Sequence, residues 1–314
     1  MRSGHGIMKT QVALPEGYLL HHYRLAKVLG VGGFSIVYLA VDTRSHQRVV
    51  VKEYMPSNQA TRRDGTTVEA LTGESTATFR VGIKRFFEEA AALAKIRHPN
   101  IVRVTDFFRD NNTVYMVMHY ESGKDLRAYI KRHSRLSEKF IRTIFPELLE
   151  GLKALHAHGL LHLDVKPANI YLRPGGHPML LDFGAAQAAM IEKKRSLQTL
   201  TQGFAPPEQH AQGHLGPWSD LYALGASIWA CMSGKAPPPS PTRVEKDTLK
   251  PAVKQFARHY SKPLLEIVDT CLRLDQLERP QSADELLAAF RTLPDSLDAD
   301  SFINRLLPWR KRAS

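Results

Sequence analysis

A chain of 314 residues with 43% hydrophobic and 24% charged side chains has an ordinary globular composition, long enough for one large domain or two smaller lobes. It contains no run of the roughly eighteen apolar residues that span a membrane, no apolar core within Met1–Gln11 to mark a secretory signal, and only two cysteines, Cys231 and Cys271, both inside apolar helical patterns, which argues against a disulfide framework or a zinc site and for reduced thiols in a cytoplasmic protein. The net charge of +12 attracts anions in general, but no segment interleaves aromatics with Lys and Arg as a nucleic-acid reader does, and none is expected as a partner.

Residues 1–22 lack periodicity and read as an extension. Short strands follow at Tyr23–Leu29, Ser35–Val41 and Arg48–Glu53, with the glycine-rich turn Gly30-Val31-Gly32-Gly33-Phe34-Ser35 between the first two. Asp64-Gly65, flanked by Gln59–Arg63 and Thr66–Leu71, carries the signature of a type I′ turn and predicts a two-stranded hairpin inside an insertion spanning about residues 54–78. Helical periodicity runs from Ser75 to Ile96 through Phe79, Ile83, Phe86, Ala90 and Leu93, with Gly82 as a point of division into two helices. Ile101–Phe108 and Thr113–Met118 read as strands joined by Asn111-Asn112. Beyond Tyr120 the pattern turns helical, with one short hairpin at Ile170–Leu172 and Met179–Leu181. Leu221–Met232, interrupted by Gly225 and Ser227, reads as a buried core helix, Pro237–Pro241 as a rigid surface loop, and 294–314 as a basic tail. Strands first and helices afterwards imply an α+β protein in two lobes.

Several residues in this layout carry chemistry. Glycines at 30, 32 and 33 let backbone N–H groups approach a bulky anion without side-chain obstruction. Lys52 closes the apolar run Val49-Val50-Val51, and a buried ammonium needs a partner to keep its proton. Glu88 and Glu89 are the candidates. Helix geometry places Glu89 on the apolar face with Phe86, Leu93 and Ile96, and Glu88 on the solvated face with Lys84, Arg85 and Lys95, so Glu89 is the expected partner. Further on, His162-Leu163-Asp164-Val165-Lys166-Pro167-Ala168-Asn169 forms a loop, and Asp182-Phe183-Gly184 follows an apolar strand.

Taken in this order, the glycine turn, Lys52, Glu89, the 162–169 loop and Asp182-Phe183-Gly184 resemble the signature of the bacterial, eukaryotic-like serine/threonine protein kinases. Pro206-Pro207-Glu208, Asp220 through Gly225, and Arg279 extend the resemblance over roughly residues 23–293. It implies a two-lobed kinase-like fold: a β-rich N-lobe with one main helix at 23–118, a hinge at 119–123 and a mostly helical C-lobe at 124–293. It implies ATP and Mg²⁺, with Mn²⁺ as a substitute, and protein substrates that present Ser or Thr hydroxyls, the enzyme itself included. Asp164 would orient the hydroxyl and accept its proton, Lys166 would steady the phosphate, and Asn169 and Asp182 would hold magnesium. Val37 and Val50 would roof the adenine, Tyr171 would floor it, Met118 would guard its back, the backbone around Tyr120 and Glu121 would hydrogen-bond it, and Asp125 would reach the ribose. Lys166 within Asp-Val-Lys-Pro-Ala-Asn, together with Thr201 as the threonine that meets the loop, is similar to the serine/threonine branch. Glu208 is expected to pair with Arg279, and Asp220 to tie its helix to the catalytic loop backbone.

Departures from the pattern have consequences. Ser35 stands where the family has a third spaced glycine, and Lys52 and Glu89 are unusually far apart. Leu163 replaces the arginine that pairs with a phosphorylated activation loop in regulated members, so competence without such phosphorylation is expected, although Ser196, Thr199 and Thr201 remain candidate phosphosites. Two other readings stay open: a nucleotide-binding pseudokinase, and a membrane-surface regulator acting through Phe302–Trp309. The substrate, the activating signal, the oligomeric state and the role of the insertion are not encoded legibly.

Overall fold

The structure, a computed structural model, describes residues 12–183, 200–211 and 213–294. The chain divides into two compact units, one comprising the residues up to Arg97 with Val102–Glu121, the other His98–Ile101 with everything from Ser122 onward.

The first unit is built on six strands: β1 (Leu19–Leu20), β2 (Tyr23–Val31), β3 (Ser35–Asp42), β4 (Arg48–Tyr54), β7 (Val104–Asp110) and β8 (Thr113–His119). Their order is β1-β2-β3-β4-β8-β7 and each adjacent pair is antiparallel. Alternation assigns the two faces. Ile36, Tyr38, Ala40, Val51, Glu53, Tyr115 and Val117 are buried on one. Val37, Leu39, Val50 and Met118 lie half-buried on the other, beside Lys52. The expected hairpin is present as β5 (Ala60–Arg63) and β6 (Thr67–Ala70). Asp64 and Gly65 both have positive φ, 51° and 73°, as a type I′ turn requires.

Helix α1 (Gly73–Leu93) follows, opened by a capping box in which Thr72 and Ser75 satisfy each other's backbone N–H, a device that contributes about 1 kcal/mol. It buries Phe79, Phe86, Glu89, Ala90 and Leu93. The helix is continuous through Gly82, contrary to the division expected there. A Cβ at position 82 would lie 1.9 Å from the Tyr54 hydroxyl oxygen. The Tyr54 ring cannot withdraw easily, because it packs against Phe79 and Phe86 at centroid distances of 5.8 and 5.7 Å. Glycine here makes room for a ring and leaves the helix unbroken.

Three further differences have local causes. The strand expected from Ile101 starts at Val104, because Ile101 bridges to Leu180 of the second unit. The unpatterned region before Tyr23 already packs within its unit, with Leu14 and Leu20 buried. The proline-rich stretch is no surface loop throughout: Pro237 and Ser240 are buried, and Ser240 Oγ donates to the Ala205 carbonyl at 2.7 Å.

The second unit holds a small sheet, β11-β10-β9, from Pro178–Leu180, Ile170–Leu172 and Lys124–Asp125. Its helices are α2 (Leu126–Arg132), α3 (Glu138–Ala157), α4 (Pro207–His210), α5 (Pro217–Ser233), α6 (Ser240–Glu245), α7 (Ala252–Gln255), α8 (Lys262–Cys271) and α9 (Ala283–Arg291). Helix α5 is the core helix foreseen over Leu221–Met232 and is buried from Ser219 to Met232, as a helix apolar all round must be. Cys231 and Cys271 are free and buried. No helix among the described residues is long and apolar enough to cross a membrane. The tail from 295 and the first eleven residues lie outside the described residues.

Candidate active site

In the first unit the residues expected to meet an anion lie on adjoining strands of the sheet. The glycine turn joins β2 to β3, with Gly32 N bonded to the Ser35 carbonyl at 2.8 Å. A Cβ at Gly30 or Gly33 would meet nothing within 4 Å. Internal packing therefore does not require glycine at either position, and the space beside them is open to a ligand. Lys52 stands opposite Val37 on β3 and Met116 on β8, and Val50 opposite Met118. The Lys52 ammonium lies 5.8 Å from the Phe86 ring centroid, one turn before Glu89 on the buried face of α1. Lys52 and Glu89 are only 6% and 5% exposed. Glu88, by contrast, faces solvent beside Lys84, 3.9 Å away. Tyr120 lies under the Arg48 guanidinium at 4.4 Å, and Glu121 ends the unit.

In the second unit the loop 162–169 is suspended from α5. Asp220, 0% exposed, accepts from His162 N at 2.8 Å, Leu163 N at 2.7 Å and His156 Nε2 at 2.8 Å. Burial pushes the Asp220 carboxyl up, yet the hydrogen bonds and charges around it hold it below the usual carboxylate value, with His156 foremost. Leu163 adopts φ 59°, a left-handed conformation costing about 1–2 kcal/mol for a residue with a Cβ. It persists because both its backbone groups are held, the N–H by Asp220 and the carbonyl by Gln209 Nε2 at 2.9 Å. Neither His156 nor Gln209 was identifiable from sequence, since nothing in their own surroundings marks them.

The next residue is Asp164. Its Oδ1 accepts from Thr201 Oγ1 at 2.9 Å, and its Oδ2 from Asn169 Nδ2 at 2.9 Å, with Lys166 Nζ 2.7 Å away. Lys166 Nζ also donates to Thr201 Oγ1 at 2.7 Å. The Thr201 hydroxyl, an expected phosphosite, is thus committed to the 162–169 loop. Ser196, Thr199 and Gly184 lie outside the described residues.

His162 is buried, and burial lowers its tendency to protonate. Its Nδ1 accepts from Asp164 N at 3.3 Å while Nε2 faces the Leu181 carbonyl at 3.1 Å, which fits a neutral ring protonated on Nε2. Leu181 N donates to the Asn169 carbonyl at 2.8 Å, bringing Asp182 alongside Asn169. Asp182 has φ 56°, a second left-handed residue in this unit's site.

The donor chemistry fits a hard cation. With Nδ2 of Asn169 given to Asp164, that side chain has only Oδ1 to offer a metal, and Asp182 adds a carboxylate. Among the described residues no cluster of three or more His, Cys, Asp or Glu is placed to hold a metal. Two oxygen ligands suit Mg²⁺, which keeps several waters, and do not suit zinc. Tyr171 pairs with Asp125 across β10 and β9. Asp125 caps α2 by accepting from Ala128 N at 2.8 Å, which occupies one of its oxygens.

Below this network, Glu208 and Arg279 form a bidentate pair at 2.7 and 3.0 Å, with Arg279 2% exposed. Ser219 Oγ also donates to Glu208 at 2.8 Å.

Comparison with known proteins is in keeping with this geometry. The protein kinase domain family matches residues 23–290. Serine/threonine-protein kinase F of Synechocystis is 29% identical over 290 residues, covering 86% of this chain and 55% of that protein. Serine/threonine-protein kinase PknA of Nostoc is 31% identical over 288 residues, covering 88% and 48%. The chain thus spans about half the length of these curated relatives. Among solved structures, the apo form of PpkA-294 superimposes with a TM-score of 0.80 at 34% identity, covering 89% of this chain and 99% of that one. Rad53 in complex with AMP-PNP shares the fold with a TM-score of 0.63 at 22% identity, covering 85% and 64%.

Proposed function

This chain belongs to the protein kinase family, and from that premise we propose that it is an active serine/threonine kinase transferring the γ-phosphate of ATP to protein hydroxyls, its own included. The observation that carries the reading is the hydrogen-bonded set Asp164, Lys166, Asn169 and Thr201 on a loop fixed by Asp220.

Phosphoryl transfer demands positioning and charge neutralisation more than covalent help from the protein. The incoming Ser or Thr oxygen forms a bond to the γ-phosphorus as the bond to the ADP oxygen breaks, and the hydroxyl proton passes to Asp164. Lys166, 2.7 Å from Asp164, sits where charge on the transferring group is stabilised. Thr201 bridges the two and fixes their spacing, which assigns it to positioning and leaves Ser196 and Thr199 as autophosphorylation sites. Lys52, held in place by its strand and facing α1, meets the nucleotide phosphates from the first unit. The open, half-buried patch of Val37, Val50 and Met118 accepts the adenine there, with the Tyr120–Glu121 backbone of the same unit; within the second unit, Tyr171 and Asp125 are the proposed nucleoside-binding residues. Asn169 and Asp182 are the residues that would hold Mg²⁺, which when bound neutralises phosphate charge. The two free, buried thiols suit a reducing compartment such as the cytoplasm, which is the proposed place of action.

A pseudokinase would bind nucleotide without transfer. Incubation with labelled ATP, Mg²⁺ and a generic basic acceptor protein tests the proposal, with Asp164→Asn as control. Phosphoserine or phosphothreonine on acceptor or enzyme, lost in the control, is the expected result. Mg·ATP binding with no label in either protein would overturn it.

A further inference from the structure

The segment between β4 and α1 has no part in the mechanism above, yet it touches each phosphate-handling piece of its unit. Glu53 follows Lys52 on β4 and points to the opposite face of the sheet, where it is 0% exposed. Its carboxylate accepts from Tyr38 Oη at 2.6 Å, Tyr115 Oη at 2.7 Å, and Arg62 Nη2 at 2.7 and 2.6 Å. Arg62 stands on the first strand of the hairpin, its side chain 2% exposed. Its Nε donates to the Val12 carbonyl at 2.8 Å and its Nη1 to the Thr66 carbonyl. Burial works against the Arg62 charge, but Glu53 beside it raises its basicity above the ordinary value.

At its start the segment grips the glycine turn: Met55 N donates to the Phe34 carbonyl at 2.9 Å, and Ser57 N and Oγ both donate to the Gly33 carbonyl, at 2.9 and 3.2 Å. At its far end Leu71 N returns to the Gln59 carbonyl at 2.8 Å, and Thr72 caps the helix that carries Glu89. Val68 exchanges bonds with Asn111 and Asn112 in the β7–β8 turn.

A register argument gives these contacts a purpose. Val49-Val50-Val51 has no apolar–polar alternation to choose which face of the sheet each residue takes, and a one-residue slip would turn Lys52 to the wrong side. A buried carboxylate, however, is tolerated only where its partners stand. Fixing Glu53 on the fully buried face fixes Lys52 on the half-buried one.

We propose that residues 54–72 form an internal brace, with Arg62 as its central positioning residue, that holds Lys52 and the glycine turn in the arrangement that binds nucleotide phosphates. This rests on the kinase reading given above.

The test uses the full chain and measures dissociation constants for Mg·ATP and for adenosine, together with kcat and KM for ATP. Removing Arg62 alone strands a buried carboxylate, so the main variant is Glu53→Gln with Arg62→Met, which removes both charges and is checked by thermal unfolding. Adenosine affinity should stay within about twofold, while Mg·ATP affinity falls about tenfold and KM rises with it, the equivalent of roughly one charge-assisted hydrogen bond. Arg62→Lys, which keeps the charge but loses the paired geometry, should show the same selective loss at about threefold; it decides the matter alone if the double variant does not fold. Unchanged Mg·ATP affinity in a folded variant, or equal weakening of adenosine and Mg·ATP, would make the segment merely structural and overturn the proposal. Wild-type protein that binds no Mg·ATP would remove the kinase reading itself, and the brace with it.

Discussion

Replacing Asp220 by Asn removes one atom's worth of hydrogen-bonding capacity at the point from which the proposed catalytic loop, 162–169, hangs. Two oxygens now receive His162 N, Leu163 N and His156 Nε2 at 2.7–2.8 Å. An asparagine offers one oxygen and turns an NH₂ group toward the remaining N–H. Losing a hydrogen bond to a charged acceptor costs about 1.5–3 kcal/mol, and the orphaned buried N–H a further ~1–3 kcal/mol. We therefore expect a loss of about 3–5 kcal/mol, large against the ~5–15 kcal/mol of a typical fold. If Leu163 is the residue released, its left-handed φ of 59° loses one of the two bonds that sustain it, and Asp164 moves with it. A displacement on the order of 1 Å at the reacting centre costs roughly a hundredfold in rate. The assay combines urea unfolding with steady-state kinase kinetics and nucleotide binding. We expect lower stability and a kcat down about a hundredfold, with Mg·ATP affinity within about threefold, because these contacts lie outside the nucleotide's own partners. The pH dependence has a definite sign. A carboxyl held below its ordinary value of 3.8 contributes stability above that pH and loses it as pH falls through the folded value, so the variant's deficit should shrink in acid. An Asp220→Asn enzyme with kcat within threefold of wild type would refute the suspension argument.

Two further outcomes follow from buried contacts. Gly82→Ala, which in an open helix stabilises by up to about 1 kcal/mol, should here destabilise by about 1–3 kcal/mol because the new Cβ meets the Tyr54 ring; combining it with Tyr54→Leu should restore the normal helical preference, and simple additivity in the double-mutant cycle would contradict the contact. Burial holds His162 below the ordinary histidine value of 6.5, so as pH drops below 6.5 the unfolded chain takes up a proton that the folded ring refuses, and stability falls by at most about 1.4 kcal/mol per pH unit for this group. His98 and His210 shift in the same direction for the same reason, so His162→Gln should flatten the slope between pH 7 and 5 without abolishing it, and an unchanged slope would exclude the buried neutral ring.

Periodicity and turn chemistry are local, and they were legible without coordinates. The strand meander, the Asp64-Gly65 hairpin, the buried helix through Leu221–Met232 and the burial of Glu89 rather than Glu88 each follow from spacing within a few residues, because burial repeats with the period of the element. The ordered motifs from Gly30 to Asp182 pointed to the family through their resemblance to its signature. What tertiary structure alone decided is which distant polar groups meet. Nothing in the neighbours of Arg62 singles it out within the predicted hairpin, yet its guanidinium is buried against Glu53, a carboxylate that also accepts from two tyrosines on other strands. Gly82 looked like a helix breaker, and the ring it makes room for comes from β4. Thr201 was expected both to meet the loop and to be a candidate phosphosite, and the structure shows its hydroxyl shared between Asp164 and Lys166. A buried hydrogen bond depends on two positions whose separation along the chain is arbitrary, and neither position's neighbours carry the other's address.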